Sequence, residues 1–459
     1  VEESNEISSS PDVGAVGLYA AVNRVAVIGA GGAGLAAAQA LAAREVDFVV
    51  FEAGSGVGGN WRYLNDSGLG SGYHSLRANT SRRHTTFRCY RIGKTNSLFP
   101  GHTEMLDYLE RFTDWFDLRR RIRFRTRVQQ ATPVDGGWEV TADGTRERFT
   151  AVVVATGFNG APRYPDFPGR FDGLVMHTHD YRLPAPFAGR DVIVVGLGCS
   201  AAELACEIAT VARSVAITAR SGSWVSPRRW GRIPVDWFDT RIGSRLSIPA
   251  RRNVFRVIFR FAAGPLKGTG LPAPDHRLGD KPITISDELL PLLRKGRIVA
   301  CAPVLELRGD RVRLADGTDR TANALLYGTG YRTTFDFLPA EAGAPTNEHA
   351  PLYRGVLSLA APRLFFIGIA FAHGALLPVM EAQANWMADV VAGRLGLPPP
   401  DAMRRSVELD GAFRSRNFDP RFGFIWDRLP YCRALESESD HARRWPGRPA
   451  ANALRATVA

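Results

Sequence analysis

The stretch Val25-Ala26-Val27-Ile28-Gly29-Ala30-Gly31-Gly32-Ala33-Gly34 decides how this chain folds. Its first four residues suit a buried parallel strand, and the small-residue run Ala33 to Ala43 suits a helix packed close behind it. Between them Gly29, Gly31 and Gly34 form GxGxxG in the strand-to-helix context that the motif requires. Gly29 permits the tight turn, Gly31 (with Gly32 beside it) lets a pyrophosphate approach the backbone, and Gly34 lets helix and sheet close on one another. Free N–H groups and the helix dipole then favour the phosphates. A ligand-free glycine turn is the competing reading. Glu52 counts against it, because it ends a second apolar strand, Val46 to Phe51, 18 residues after Gly34. A carboxylate there accepts from a ribose 2′-OH and repels a 2′-phosphate, so the site calls for FAD or NAD and not NADP.

The same opening recurs at Asp191 to Glu203. Gly196, Gly198 and Ala201 form GxGxxA after an apolar strand, and the next strand, Ser214 to Ala219, ends at Arg220 with no acid. A guanidinium pairs with a 2′-phosphate by charge and fork geometry, which indicates NADP. A surface arginine at a strand end is the bland alternative. Ser200 either helps hold the pyrophosphate or caps the helix, and Arg228 is the next cation in reach of the nicotinamide nucleotide. Cys199 reads as a small packing residue. One site that refuses a phosphate and one that selects it imply FAD plus NADPH, a pairing in which the flavin takes a hydride and meets oxygen, a disulfide or another acceptor.

The 459 residues allow two or three domains at roughly 150 residues each. With 45% hydrophobic and 23% charged residues, a disordered or fibrous chain is excluded. The net charge of +12 is spread without the aromatic interleaving or zinc-ligand spacing of nucleic-acid modules, so no nucleic-acid partner is expected. Five cysteines without CxxC exclude a redox dithiol of local spacing. No window approaches 18 apolar residues and the first 22 residues lack signal-peptide order, so a cytoplasmic protein without a membrane partner is the default. A Pro/Gly-rich break, 160–169, reads as a domain crossing. The last 60 residues are Arg- and Pro-rich and hold no legible chemistry.

Several further stretches resemble the class B flavin-dependent monooxygenases, the flavin-containing monooxygenase group and its Baeyer–Villiger relatives. Gly58-Gly59-Asn60-Trp61 matches GGxW, and Phe171 to Tyr181 matches FxGxxxHxxxY, whose final tyrosine favours amine and sulfide oxidisers. Ala155-Thr156-Gly157 and Gly328-Thr329-Gly330-Tyr331 are similar to the hinge segments. Gly368, Pro378, Glu381 and Gln383 are similar to the closing flavin segment.

The resemblance implies an α/β fold of two Rossmann-like dinucleotide-binding domains, the NADP domain inserted into the FAD domain. After a tail at 1–22, the FAD-binding domain takes 23–165 and 325–395, the NADP-binding domain 166–324, and a C-terminal extension 396–459. It also implies cofactor contacts at Gly59, Trp61, Gly330, Tyr331 and Gly368. The implied reaction forms a peroxyflavin from NADPH and molecular oxygen and passes one oxygen atom to nitrogen or sulfur of a small organic substrate. Ketone oxygen insertion, and an oxidase-like or non-catalytic flavoprotein, are the alternatives. Tyr73 to Thr80 resembles the family stretch whose asparagine lies beside the flavin, so Asn79 takes the catalytic role, with a turn-capping asparagine as its rival. His177 takes a domain-coupling role, no metal is expected, and a homodimer is left open.

Two segments depart from the family pattern. Residues 81–91 replace a Pro- and Phe-rich run and are expected to border the substrate entrance. Residues 232–290 stand as a lid, a dimer contact or a basic surface.

Overall fold

A computed structural model describes residues 24–93, 97–240, 243–264, 266–419, 421 and 424–444. The tail at 1–22 and the last part of the C-terminal extension lie outside these residues. Two sheets organise the rest. In the seven-stranded sheet, Val25–Ile28 runs parallel to Phe48–Phe51 on one side and to Ala151–Val154 on the other. Leu364–Phe366 extends it beyond Ala151–Val154. All residues of the three central strands are buried, which is why their sequences are unbroken Val, Ile, Ala and Phe and not alternating. The helix Gly32–Ala42 packs against the helix Leu377–Val391, so the late segment returns to the first glycine loop.

The second sheet has five parallel strands in the order 174–177, 324–327, 191–195, 214–218, 298–301. Ala324–Tyr327 therefore belongs to it, pairing with both Leu174–His177 and Asp191–Val195. The expected boundary between residues 324 and 325 falls inside this strand, and the return to the first sheet follows Tyr327. Outside the two sheets, Gly137–Ala142 and Thr145–Phe149 form a hairpin around Asp143-Gly144, joined by Val128–Val134 into a three-stranded sheet.

The C-terminal extension is more structured than its composition suggests. It supplies two long helices, Pro400–Asn417 and Arg428–Arg444. The second is fixed by buried polar contacts: the Tyr431 hydroxyl donates to the Arg354 carbonyl and accepts from Gln383 Nε2, and Arg354 pairs with Glu438. No helix among the described residues is long and apolar enough to cross a membrane.

Candidate active site

The two glycine loops leave their sheets in the same way. Gly29 N–H donates to the Phe51 carbonyl and Gly196 N–H to that of Thr218. Each loop presses on the segment that leaves a neighbouring strand of its sheet. A Cβ on Gly29 would lie 2.7 Å from the Ala155 carbonyl oxygen, and one on Gly196 would lie 2.2 Å from that of Gly328. The third motif positions differ for a local reason: a Cβ on Gly34 would lie 1.8 Å from the Gly29 carbonyl oxygen, whereas Ala201 is accommodated because the residue facing it is Gly328.

In the first loop Glu52 is buried, its Oε2 accepting from Ala30 N–H and its Oε1 from Gly54 N–H, both at 2.7 Å. It thus holds the loop as well as offering its remaining lone pairs. Gly58 N–H donates to the Ala30 carbonyl, which brings Gly59 opposite Gly31. Trp61 packs half-buried on the core beside them. Gly32 faces Leu377 and Gly368 faces Ala33, so these two glycines serve helix packing. Gly31, by contrast, would place a Cβ no closer than 3.6 Å to any atom, and it caps its helix without a side-chain bond. That leaves space and free N–H groups where a pyrophosphate needs them.

The second loop has the same character. Gly198 is the N-cap of Cys199–Ile208, has no side-chain cap, and would meet nothing within 4 Å. Ser200 lies in the first turn and not at the cap, against the helix-capping alternative. Arg220 is exposed and forms no ion pair with any described residue. A loop without side-chain cover beside an unpaired guanidinium fits a dinucleotide with a 2′-phosphate. Arg220→Ala is expected to weaken NADPH about tenfold or more while NADH changes little, a charge-assisted bond being worth roughly 1.5–3 kcal/mol. Equal losses for both cofactors in a KM comparison would sink that role.

Arg228 is placed differently from the nucleotide contact expected of it. It is buried, and four of its five N–H donors stay inside the protein. Nε donates to the Ala78 carbonyl at 3.3 Å, Nη1 to Asp287 at 3.2 Å, and Nη2 to both Glu203 and Asn79 Oδ1, the latter at 3.2 Å. With its carbonyl held by Arg228, Asn79 has its NH₂ to offer to the cavity it lines. Glu203 also accepts from Tyr73 and Glu207 from Ser75. The 73–79 segment is therefore bolted to the helix of the second glycine loop.

Asn79 opens on a cavity of about 380 Å³ that Cys199 of the second glycine motif also lines. Its apolar walls include Val235, Phe255, Phe259 and Phe418, and ion pairs close it: Arg251 with Asp427, Arg252 with Asp280, Arg428 with Asp239. Residues 232–290 thus wall the chamber, and the C-terminal extension completes it. Of the segment 81–91, His84 lines the cavity, its Nδ1 3.0 Å from Asp236, while the N–H groups of Arg88 and Cys89 are tied to Glu381. His373 also lines the cavity, and burial pushes its imidazole below the usual range, so it is neutral at pH 7. Burial likewise raises the Cys199 thiol, whose Sγ bonds Ile283 and Ile285, an inert packing residue.

At the end of the strand Leu174–His177, His177 is fully buried and its pKa falls to about 4, through burial first and His179 second. Tyr331, after Gly330, packs its ring 5.3 Å from that of His177 and 5.9 Å from that of His179. The His177 imidazole is therefore neutral at pH 7, with its Nδ1 accepting from His179 N–H. Among the described residues no His, Cys, Asp and Glu cluster is placed to hold a metal ion.

Comparison with known proteins is consistent with this arrangement. The model of the flavin-binding monooxygenase-like family matches residues 22–418. The chain is 30% identical to dimethylaniline monooxygenase (N-oxide-forming) 2 of Rattus norvegicus, over 84% of this chain and 76% of the relative. The solved structure of S-allyl-L-cysteine S-oxygenase from Allium sativum superposes with a TM-score of 0.68 at 26% identity, covering 91% of this chain and 88% of that one. Cyclohexanone monooxygenase from Rhodococcus sp. Phi1 shares the fold, with a TM-score of 0.68 at 21% identity over 92% and 98% of the two chains.

Proposed function

From the premise that this chain belongs to the flavin-binding monooxygenase-like family, and so is an FAD- and NADPH-dependent monooxygenase, we propose that it transfers one oxygen atom to a soft nitrogen or sulfur of a small organic substrate. The observation that carries the reading is the chamber itself: mostly apolar, walled by the 232–290 segment, and shared by Asn79 and the second glycine motif. An uncharged amine or thioether enters such a chamber at little desolvation cost, whereas a charged one needs a partner. Relatives named for N-oxide formation and for S-oxygenation support the same choice.

In this reading Gly29, Gly31, Gly34, Glu52 and Gly59 hold FAD, with Trp61 and Gly368 packing the segments around it. Gly198, Ser200 and Arg220 hold NADPH, and Gly196 and Ala201 shape that loop. Bound flavin supplies hydride acceptance and oxygen activation. The chain's own residues orient it, exclude water with Phe255, Phe259 and Phe418, and present the Asn79 NH₂ as a fixed donor. Arg228 fixes Asn79. Gly330 and Tyr331 act at the hinge.

Two experiments test the reading. Product masses from incubations with tertiary amines, thioethers and ketones should show gain of one oxygen on the first two, and a lactone or ester as the main product would overturn it. Asn79→Ala should leave flavin reduction by NADPH at the wild-type rate and cut product per NADPH, the balance leaving as hydrogen peroxide. Losing one preorganised donor costs about 10²-fold or more in the step it serves. Slow reduction with unchanged coupling would remove Asn79 from that role.

A further inference from the structure

The charges around the chamber are matched, with one exception. The arginines that line it, Arg228, Arg251 and Arg252, each pair with a carboxylate, and Asp239 and Asp427 each pair with an arginine. Asp236 lines the chamber too, yet it forms no ion pair with a described arginine or lysine. Its Oδ2 accepts from the Ser81 N–H at 2.9 Å, from the Ser81 hydroxyl at 2.8 Å and from the His84 ring, while its buried Oδ1 has no partner. Ser81 is fully buried and in turn receives the Trp237 Nε1–H at 3.0 Å. The His84 backbone N–H donates to the Ser81 carbonyl, so main chain and ring of His84 are held by one small network. Its two sides come from 81–91 and 232–290, the segments that depart from the family pattern.

A carboxylate at Nδ1 keeps the proton of the neutral imidazole on that atom. Nε2 is left with its lone pair, and it forms no hydrogen bond with a described residue. The other imidazole of the chamber wall, His373, has no carboxylate bonded to its ring among the described residues, and its Nε2 is buried without a partner.

We propose that His84, positioned by Asp236, is the base that removes the proton from a substrate that enters the chamber as a protonated amine. The inference rests on the oxygen-transfer reading above and names the substrate class within it, basic aliphatic amines. With a pKa on the order of 10, as for a lysine side chain, only about one such molecule in 10³ is uncharged at neutral pH. The charged form lacks the lone pair that oxygen transfer requires. A carboxylate that no arginine neutralises gives this cation the partner it needs inside an apolar chamber. There the N–H bond breaks, the electron pair stays on nitrogen, and the proton passes to Nε2. Asp236 offsets the imidazolium charge in the way a buried carboxylate supports a catalytic imidazole. Over the whole reaction that proton and the hydride of NADPH become the two hydrogens of the water released beside the N-oxide. A thioether has no proton to lose and makes no such demand.

Matched pairs of tertiary aliphatic amines and thioethers test the assignment, with FAD-loaded enzyme and NADPH, from neutral pH to near the pKa of the amine. The readout is the amine-to-thioether ratio of kcat/KM, in which any shared loss of folding or flavin cancels. His84→Gln should lower that ratio about 10²-fold at neutral pH, the usual contribution of a general base. The loss should shrink about tenfold for each unit of rise in pH, as free amine replaces the ammonium. Asp236→Asn, which releases the tautomer, should lower the ratio about tenfold or more in the same pattern. A ratio unchanged in both variants, or a loss indifferent to pH, overturns the proposal and leaves oxygen transfer standing. A wild type that oxygenates thioethers and no amine does the same. Ketone insertion as the main wild-type reaction overturns the oxygen-transfer reading and this proposal with it.

Discussion

Arg228→Met is expected to lower the unfolding free energy of the holoprotein by an amount near the low end of the ~3–5 kcal/mol that breaking a buried ion pair costs. The low end applies because one of the two carboxylates left behind, Asp287, is 41% exposed and regains water, whereas Glu203, at 18%, does not. Methionine fills most of the volume, so the loss is electrostatic and not a cavity. The same change frees the Asn79 carbonyl and the Ala78 carbonyl, and product per NADPH should fall with it. Adding Glu203→Gln removes the orphaned charge and should recover part of the stability without restoring coupling. Denaturant unfolding and the product-to-NADPH ratio, measured together, decide the matter. If stability and coupling hold while the KM for NADPH rises, Arg228 is a nucleotide ligand after all.

Gly34→Ala should give protein that carries no flavin through gel filtration. Its added Cβ would sit 1.8 Å from the Gly29 carbonyl oxygen and 2.8 Å from the carbon, both backbone atoms. The helix Gly32–Ala42 must then move off the strand Val25–Ile28. Overpacking of this kind costs ~1–3 kcal/mol or more, and it displaces the N–H groups of the loop. Gly31→Ala is the informative contrast. Its Cβ meets only Gly59, at 3.6 Å, so the fold should keep its wild-type melting temperature in the flavin-free form while FAD affinity falls. Equal flavin content in the two variants would refute the division of labour between these glycines.

Much of the fold was legible because its signals are local. Uninterrupted apolar runs at 25–28, 151–154, 192–195 and 324–327 are what two-faced burial in a parallel sheet demands, and each lies in a strand. Pro378 stands in the first turn of the helix Leu377–Val391, where its fixed φ suits a helix start. The boundary at 324–325 went astray because a buried strand reads the same whichever sheet it joins; only pairing with Asp191–Val195 assigns it. The candidate site was legible in part. The glycine loops, Glu52, Arg220 and Asn79 stand in motifs of fixed spacing. Glu203, Asp287, Phe418 and Asp427 carry no such signature, and the C-terminal extension looked empty of chemistry.

By itself, then, the sequence determined the two glycine loops, the strands and helices that carry them, and an acid at one second-strand end against an arginine at the other. These are constraints that a few neighbouring residues impose on their own backbone: a missing Cβ, an uncapped helix end, an acid or a cation at a strand end. The tertiary structure alone decided that Arg228 grips Asn79, 149 residues away, and that Phe418 and Asp427 close a chamber begun by Asn79 and His84. It also decided that Asp236 meets the His84 ring, 152 residues away. Contacts of this kind depend on how separate elements are set against one another. That arrangement follows from the packing of whole sheets and helices, and no local period or motif encodes it.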